Sequence, residues 1–212
     1  MVACVVMYGL RDYLYPKINL FVLPGGTAPV RMTEEAVGYD TYLRAIVDPV
    51  LMEDGSGLLR KALFDFRGRT DPKVEKYSCI RTPKPGDPAM LAYRLDPGQK
   101  ALCGVGFVIG MPFPLAALVL CRSGMATRHE IVVSNGPGTI DPDYRGEAGV
   151  HLWNTGNEPF YLFHGMRISQ FLFVRPVIPR FGKVLSHADI KASKRDVGGF
   201  GHTGLFGSVC KG

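Results

Sequence analysis

Long hydrophobic runs are absent from this chain of 212 residues. A helix that crosses a membrane needs about 20 consecutive apolar residues, and the best candidate stretch, 101–120, is interrupted by Pro112 and Pro114. The first residues, MVACVVMYGLRDYLYPK, have no basic segment ahead of their apolar stretch, so we do not interpret them as a signal peptide. We therefore expect no membrane association and an intracellular, cytoplasmic location, with the nucleus or an organelle as alternatives.

Cysteine pairs and sequence repeats are also lacking. The five cysteines are an odd number with no CxxC spacing, which argues against a zinc cluster or a disulfide framework and favours a reducing compartment. No repeat of the solenoid type is present. The net charge of +6 indicates an anionic partner. The basic residues are scattered and do not alternate with aromatic residues, so we do not expect nucleic acid to be that partner.

Glycine and proline, in contrast, are abundant. The 26 glycines and 16 prolines make up about a fifth of the chain, which is typical of many short strands joined by turns. After Tyr93, short apolar runs recur at roughly the 8–12-residue spacing of an all-β sandwich or barrel-like fold. These runs are 101–109, 115–121, 130–134, 148–153, 159–163 and 168–178.

Two segments differ from this pattern. Residues 48–92 are charged and proline-rich, with one short predicted helix at 57–66, and we interpret them as a surface insertion with little core of its own. Residues 186–212 are polar and end in a glycine-rich sequence, which predicts a flexible C-terminal arm.

Three short motifs carry chemistry. Arg122, Ser123 and Gly124 place a guanidinium, a hydroxyl and a bare backbone amide at one turn, a combination that suits a phosphate. NGPGTIDPDY predicts a tight hairpin, followed by a carboxylate, Asp141, that could deprotonate a water. GGFGHTG could order over a triphosphate. Taken singly, each motif is more typical of a solvated turn or a disordered tail than of a binding site.

The order of the motifs is more informative than any one of them. Together they resemble the five motifs of the trimeric deoxyuridine triphosphatase (dUTPase) family, and the resemblance covers about three fifths of the chain. The motifs are GYD at 38–40, RSG at 122–124, GxIDxxYRG at 138–146, GxRIxQ at 165–170 and RxxGGFGHTG at 195–204.

The resemblance implies a distorted β jelly roll, a homotrimer whose active sites are shared between subunits, and hydrolysis of dUTP to dUMP and pyrophosphate with Mg²⁺ on the triphosphate. Asp141 matches the general base for in-line attack at the α-phosphorus. Tyr144 matches the tyrosine that packs under the deoxyribose and excludes a 2′-hydroxyl. Asp40 matches an aspartate that helps to hold the water shell of the metal.

The remaining matches are substrate-binding residues. Those for uracil are Asn135, Gly138 and Ile140; those for the phosphates are Arg122, Ser123, Gly124, Arg167 and Gln170; and those of the closing arm are Arg195, Phe200, Gly201, His202 and Thr203, with Phe200 stacking on uracil. The chain departs from the family pattern in a first motif two residues longer, GYDTYLRA, in the insertion at 48–92, and in Asp196, where glycine is usual.

Two other functions are weighed against this one. The related dCTP deaminases, which share the fold, need a glutamate on the strand after the third motif. Here His151 takes that place, Gly124 replaces a serine, and Glu147 lies at a different offset. A non-catalytic regulatory protein is the second alternative, with 48–92 as a candidate surface for a protein partner.

Overall fold

The computed structural model describes residues 13–53 and 57–193. Fourteen strands, one short α-helix and two 3-10 helices lie wholly within the described residues. The strands are β1 (Asn19–Val22), β2 (Gly38–Tyr42), β3 (Ala45–Met52), β4 (Arg60–Phe64), β5 (Ser78–Arg81), β6 (Met90–Leu95), β7 (Lys100–Gly104), β8 (Phe107–Gly110), β9 (Ala116–Leu120), β10 (Ile131–Val133), β11 (Gly138–Ile140), β12 (Gly149–Asn154), β13 (Phe160–Leu162) and β14 (Arg167–Val174). The helix α1 is Ser123–His129, and the 3-10 helices are Glu75–Tyr77 and His187–Asp189.

All strand pairs are antiparallel and fall into four sheets. The largest has the order β10-β12-β7-β3-β4, the second β11-β9-β14-β2, the third β13-β6-β5, and the smallest β1-β8. Within the described residues these sheets do not close into a barrel. The prediction of an all-β fold is confirmed, and each of the six apolar runs after Tyr93 overlaps at least one strand.

The core lies between the sheets because side chains alternate along each strand. In β12, Val150 and Leu152 are buried, whereas Trp153 is exposed. Phe107 and Phe171 meet edge to face, with ring centroids 5.6 Å apart, and both are fully buried. This contact joins the smallest sheet to the second sheet through the apolar interior.

Residues 48–92 extend two of the sheets. β4 is the outer strand of the largest sheet, and β5 is the outer strand of the three-stranded sheet. The helix predicted at 57–66 is wrong, because 60–64 is a strand paired with β3. Burial in β4 has a period of two: Ala62 and Phe64 are buried, and Phe64 is part of the main core.

The chain divides into two compact units, 1–176 and 177–212. In the described part of the second unit, the regular structure is the 3-10 helix His187–Asp189, which begins with a capping box made by Ser186 and Asp189. The described residues contain no helix long and apolar enough to cross a membrane. Residues 194–212, with the predicted closing arm, lie outside the described residues.

Candidate functional site

Two arginines of the predicted phosphate site share one buried carboxylate. Asp40 is 7% exposed, and its Oδ2 lies 3.4 Å from Nε of Arg122 and 3.1 Å from Nη1 of Arg167. Arg122 also donates to the carbonyl of Arg167 at 3.1 Å. These contacts hold both arginines in place. Because each guanidinium has five N–H donors, both still have donors available for an anion. Two cations on one anion leave this cluster with a net positive charge.

Gln170 is held beside this cluster. It lies opposite Asp40 in the β14–β2 pair, and its Nε2 donates to the carbonyl of Cys121 at 3.0 Å. Its Oε1 occupies the space above Gly38, where an added Cβ would lie only 2.5 Å away. The glycine of the first motif is thereby explained, because any larger residue would displace the Gln170 amide.

Ser123 and Gly124 are both exposed and begin the helix α1. The segment was predicted as a turn after a strand, and the structure continues it into a seven-residue helix. A Cβ on Gly124 would meet no atom within 4 Å. Nothing in the described part of the chain therefore requires glycine here, and the position is open to an external group.

A cleft of about 1040 Å³ contains both arginines and Gly124. Arg81 and Lys84, which belong to the 48–92 segment, line the same cleft, as does Arg128. Arg81 is fixed there because it donates to the Tyr161 hydroxyl at 2.9 Å and lies 4.6 Å from the centre of that ring. The cleft is therefore strongly basic, as a triphosphate requires.

Asp141 stands at the corner after β11. The backbone N–H of Tyr144 donates to the Asp141 carbonyl at 3.2 Å, which closes a turn through Pro142. The Asp141 side chain is exposed and makes no hydrogen bond or ion pair within the described ranges. Such a carboxylate is free to accept a proton from a bound water.

Tyr144 is half-buried and held at its hydroxyl. The hydroxyl donates to the Glu147 carbonyl at 3.1 Å and accepts from Nη2 of Arg60 at 3.0 Å. The ring lies against Gly146, where a Cβ would be 2.5 Å from the hydroxyl oxygen. The last glycine of the third motif therefore makes room for the tyrosine. Arg60 was not predicted as part of the site.

Beneath this corner lies a buried ion pair. Glu147 is fully buried and accepts from Nε and Nη2 of Arg44 at 2.7 and 2.8 Å. Its carboxylate also accepts from the backbone N–H groups of Arg60 and Gly106 at 3.0 and 2.9 Å. Every hydrogen bond of this set fixes the corner that carries Tyr144. Sequence reasoning assigned no such role to Arg44 or Glu147.

The turn before β11 differs from the predicted hairpin. β10 pairs with β12, and β11 pairs with β9, so the two strands flanking residues 134–137 belong to different sheets. The turn is a crossover between sheets. Asn135 lies over Gly138, where an added Cβ would be 3.1 Å from Nδ2, and Ile140 is buried.

Two groups of predicted site residues lie at opposite ends of β9, Asp141 and Tyr144 at one end and Arg122 at the other, whereas Gly138 lies opposite Val119 between them. Ile140 lies opposite Ala117, at the start of β9, and Asp141 follows it. Arg122 comes five residues after Ala117, a distance of about 17 Å at the usual rise of a strand. The cleft around Arg122 contains neither Asp141 nor Tyr144. Within one chain, the two groups do not meet.

No group of three or more His, Cys, Asp or Glu residues that could hold a metal ion occurs among residues 13–53 and 57–193. Asp40, which was expected near the metal's water shell, is instead bound to two guanidinium groups. The role of Asp40 in holding the metal's water shell stays a prediction.

Comparison with known proteins identifies the family. The family model of dUTPase matches residues 89–204. The chain is 46% identical over 111 residues to the deoxyuridine 5′-triphosphate nucleotidohydrolase of Methylococcus capsulatus, and 42% identical over 111 residues to that of Desulfotalea psychrophila. Each match covers 52% of this chain and 72% of the relative. The chain belongs to the dUTPase family. The sequence-based resemblance is confirmed.

Solved structures of the dUTPase family share the fold at much lower identity. The dUTPase of Staphylococcus bacteriophage 80alpha, solved with dUPNHPP, has a TM-score of 0.62 and 16% identity, covering 90% of this chain and 99% of that chain. A mutant dUTPase of phage phi11 of S. aureus has a TM-score of 0.55 and 14% identity, with 80% and 97% covered. That structure details the coordination of a structural Mg(II) ion.

Proposed function

We propose that this member of the dUTPase family hydrolyses dUTP to dUMP and pyrophosphate. The observation that carries the proposal is the corner after β11, where Asp141 is exposed and Tyr144 is fixed by hydrogen bonds three residues further on. Family membership and the named relatives support the same reaction. The basic cleft around Arg122 supplies the charge that a triphosphate needs.

Asp141 acts as the general base. Its carboxylate accepts a proton from a water molecule, and the water oxygen forms a bond to the α-phosphorus. The bond between that phosphorus and the oxygen bridging to the β-phosphate breaks in line, and pyrophosphate leaves. Phosphoryl transfer depends mainly on positioning and neutralised charge, which explains why one carboxylate and several cations suffice.

The nucleoside is recognised around the same corner. The Tyr144 ring packs under the deoxyribose and leaves no space for a 2′-hydroxyl. Asn135 and the backbone of 136–140 read the uracil edge, with Gly138 and Ile140 as the binding positions. The crossover geometry supports this role, because β11 uses one edge to pair with β9 and the turn before it is exposed.

The phosphate chain is held by Arg122, Ser123, Gly124, Arg167 and Gln170. The fixed positions of both arginines favour phosphate binding, since little side-chain entropy remains to be lost. From outside the described residues, Arg195, Phe200, Gly201, His202 and Thr203 complete the site as a closing arm. Phe200 stacks on uracil, and the polar residues hold the γ-phosphate.

The active enzyme is a homotrimer with shared sites. Arg122 and Asp141 of one chain lie about 17 Å apart along β9, and the cleft around Arg122 does not contain Asp141. Joining Asp141 of one subunit to Arg122 of a neighbour would bring the two groups to one site. The register of β11 against β9 places Asp141 at the start of β9, away from Arg122.

Magnesium accompanies the substrate. Mg²⁺ would be held mainly by phosphate oxygens and water, as it usually is in nucleotide sites. When bound, it neutralises charge on the triphosphate. None of the steps assigned here to Asp141, Tyr144 or Arg122 depends on a protein ligand to the metal.

Deamination of dCTP is not favoured by the contacts. Glu147 is fully buried and bound to Arg44 through both oxygens, so it cannot exchange protons with a nucleotide. Partial burial and the charge of Lys100 lower the pKa of His151 below its usual value. A purely regulatory role is not favoured either, although 48–92 stays a candidate surface for a protein partner.

Product analysis tests the proposal. Purified protein is incubated with dUTP, dCTP, dTTP and UTP, each with and without Mg²⁺, and the products are separated by chromatography. Formation of dUMP and pyrophosphate from dUTP alone is expected. Uracil nucleotides formed from dCTP, or no turnover of dUTP, would contradict it.

A further inference from the structure

The Arg60 side chain connects the 48–92 segment to Tyr144, at the corner after β11. Its Nη2 donates to the Tyr144 hydroxyl at 3.0 Å, and its Nη1 donates to the carbonyl of Pro49 at 2.8 Å. Nε approaches the Glu147 carbonyl at 3.4 Å, longer than a good hydrogen bond. The guanidinium therefore bridges the inserted segment and the corner after β11.

The backbone of Arg60 is fixed independently of its side chain. Its N–H donates to Oε2 of the buried Glu147 at 3.0 Å, and its carbonyl accepts from Nη2 of Arg44 at 3.2 Å. Arg60 also begins β4, on the same face as buried Ala62 and Phe64. The stem of Arg60 is thus aimed at Tyr144, whereas its neighbour Lys61 is exposed on the opposite face.

The Tyr144 ring has two torsions that could let it turn away from the sugar. Two hydrogen bonds to its hydroxyl prevent this: one to the Glu147 carbonyl and one from Arg60. Without Arg60, the hydroxyl keeps only the bond to the carbonyl, three residues along its own chain. A ring held by one hydrogen bond can shift to make room for the 2′-hydroxyl of a ribose, whereas a ring held by two resists that shift.

We propose that Arg60 is a positioning residue that holds the Tyr144 ring in place and thereby sets the preference for 2′-deoxyribonucleotides over ribonucleotides. This inference rests on the proposed function, because it takes Tyr144 as the residue under the sugar. It also gives the 48–92 segment a role in substrate selection. Arg60 acts through Tyr144 and touches neither the substrate nor the reacting atoms.

Kinetics with two substrates test the proposal. The variant Arg60→Met keeps an apolar stem and loses every donor, and Lys61→Met on the opposite face of β4 is the matched control. We expect the ratio of kcat/KM for dUTP to kcat/KM for UTP to fall about tenfold in Arg60→Met. kcat for dUTP stays within about twofold, and the control keeps the wild-type ratio. Partial unfolding would lower kcat/KM for dUTP and for UTP by the same factor and leave their ratio unchanged.

A double-mutant cycle separates positioning of Tyr144 from a general effect. Tyr144→Phe removes the hydroxyl that Arg60 holds, so it should lower the same ratio, and adding Arg60→Met should lower it no further. Additive losses would overturn the proposal, as would a wild-type ratio in Arg60→Met. If Arg60→Met fails to fold, Arg60→Gln takes its place in the cycle.

Equilibrium binding distinguishes a failure of the Arg60 proposal from a failure of the proposed function. The affinities of dUMP and UMP are measured by calorimetry in the wild-type protein and in Arg60→Met. If wild-type protein hydrolyses dUTP but the affinity ratio is the same in both proteins, only the role of Arg60 is overturned. If wild-type protein does not hydrolyse dUTP, the proposed function fails. A preference for dUMP that falls in Arg60→Met would still support positioning, and a missing or unchanged preference would overturn it.

Discussion

Because Gly38 has no side chain, the Gln170 amide fits beside the cluster of Asp40, Arg122 and Arg167. In Gly38→Ala the new Cβ would lie 2.5 Å from Oε1, so the amide must move and give up its bond to the Cys121 carbonyl. We expect a loss of about 1 kcal/mol in the free energy of unfolding and a lower kcat/KM for dUTP. Urea denaturation and steady-state kinetics measure the two effects.

Gly110→Ala is the matched control for this substitution. A Cβ on Gly110 would meet only Cβ of Asn19, at an ordinary 3.7 Å, so both quantities should stay close to wild type. A Gly38→Ala protein with wild-type kcat/KM would show that the position of Gln170 does not matter for turnover.

Asp141 and Asp143 flank Pro142 and are both exposed, which offers a comparison of two carboxylates at one turn. Asp141→Asn removes the proposed base and leaves the phosphate ligands intact. We expect turnover of dUTP to fall by at least about 100-fold, while nucleotide affinity changes by less than about tenfold. Asp143→Asn should retain turnover. Near-normal activity of Asp141→Asn would mean that another group activates the water.

At the scale of elements, the buried Arg44–Glu147 pair ties the β2–β3 connection to the corner after β11. Glu147 is fully buried and Arg44 is 4% exposed, so replacing one partner leaves a buried charge without its counterpart. Glu147→Gln should lower the free energy of unfolding by about 3–5 kcal/mol, as measured by urea denaturation.

The exposed pair between Arg69 and Glu53 is the control for the buried one. Its side chains are 55% and 25% exposed, so Glu53→Gln should cost no more than about 1 kcal/mol. Equal losses in the two variants would contradict the idea that the buried pair is what fixes the corner.

The strands after Tyr93 could be predicted because apolar runs and turn residues alternate there in the sequence itself. β4 could not: arginine, lysine, alanine and leucine all favour helix locally, and pairing with β3 overrides that preference. The helix α1 was missed because seven residues give too short a pattern to distinguish from a turn.

In the site, residues within sequence motifs could be predicted, whereas pairs far apart in the chain could not. Asp141, Tyr144 and Arg122 stand within ordered motifs, so the resemblance located them. Arg60 contacts Tyr144 from 84 positions away, and Arg44 contacts Glu147 from 103 positions away. No local pattern encodes such pairs, and only the folded chain brings them together.

For the whole molecule, the glycine-rich end of the chain gives a simple test of the closing arm. Deleting residues 195–212 removes the fifth motif and none of the described strands. We expect most of the activity to be lost while the trimer persists, as measured by light scattering after gel filtration. Deleting 205–212 alone leaves the motif intact and should preserve activity. A fully active 195–212 deletion would show that these residues do not form the arm.

We propose that dUTP is hydrolysed at a site to which different subunits contribute Asp141 and Arg122. The most direct measurement co-expresses two inactive variants, Asp141→Asn and Arg122→Ala, with different tags and assays the doubly purified trimers for dUTP hydrolysis. Every mixed trimer joins an intact Asp141 to an intact Arg122 at one of its three sites, so about one third of the sites are intact. We therefore predict that activity returns to about that fraction of wild type. Mixed trimers as inactive as either parent would contradict the shared site.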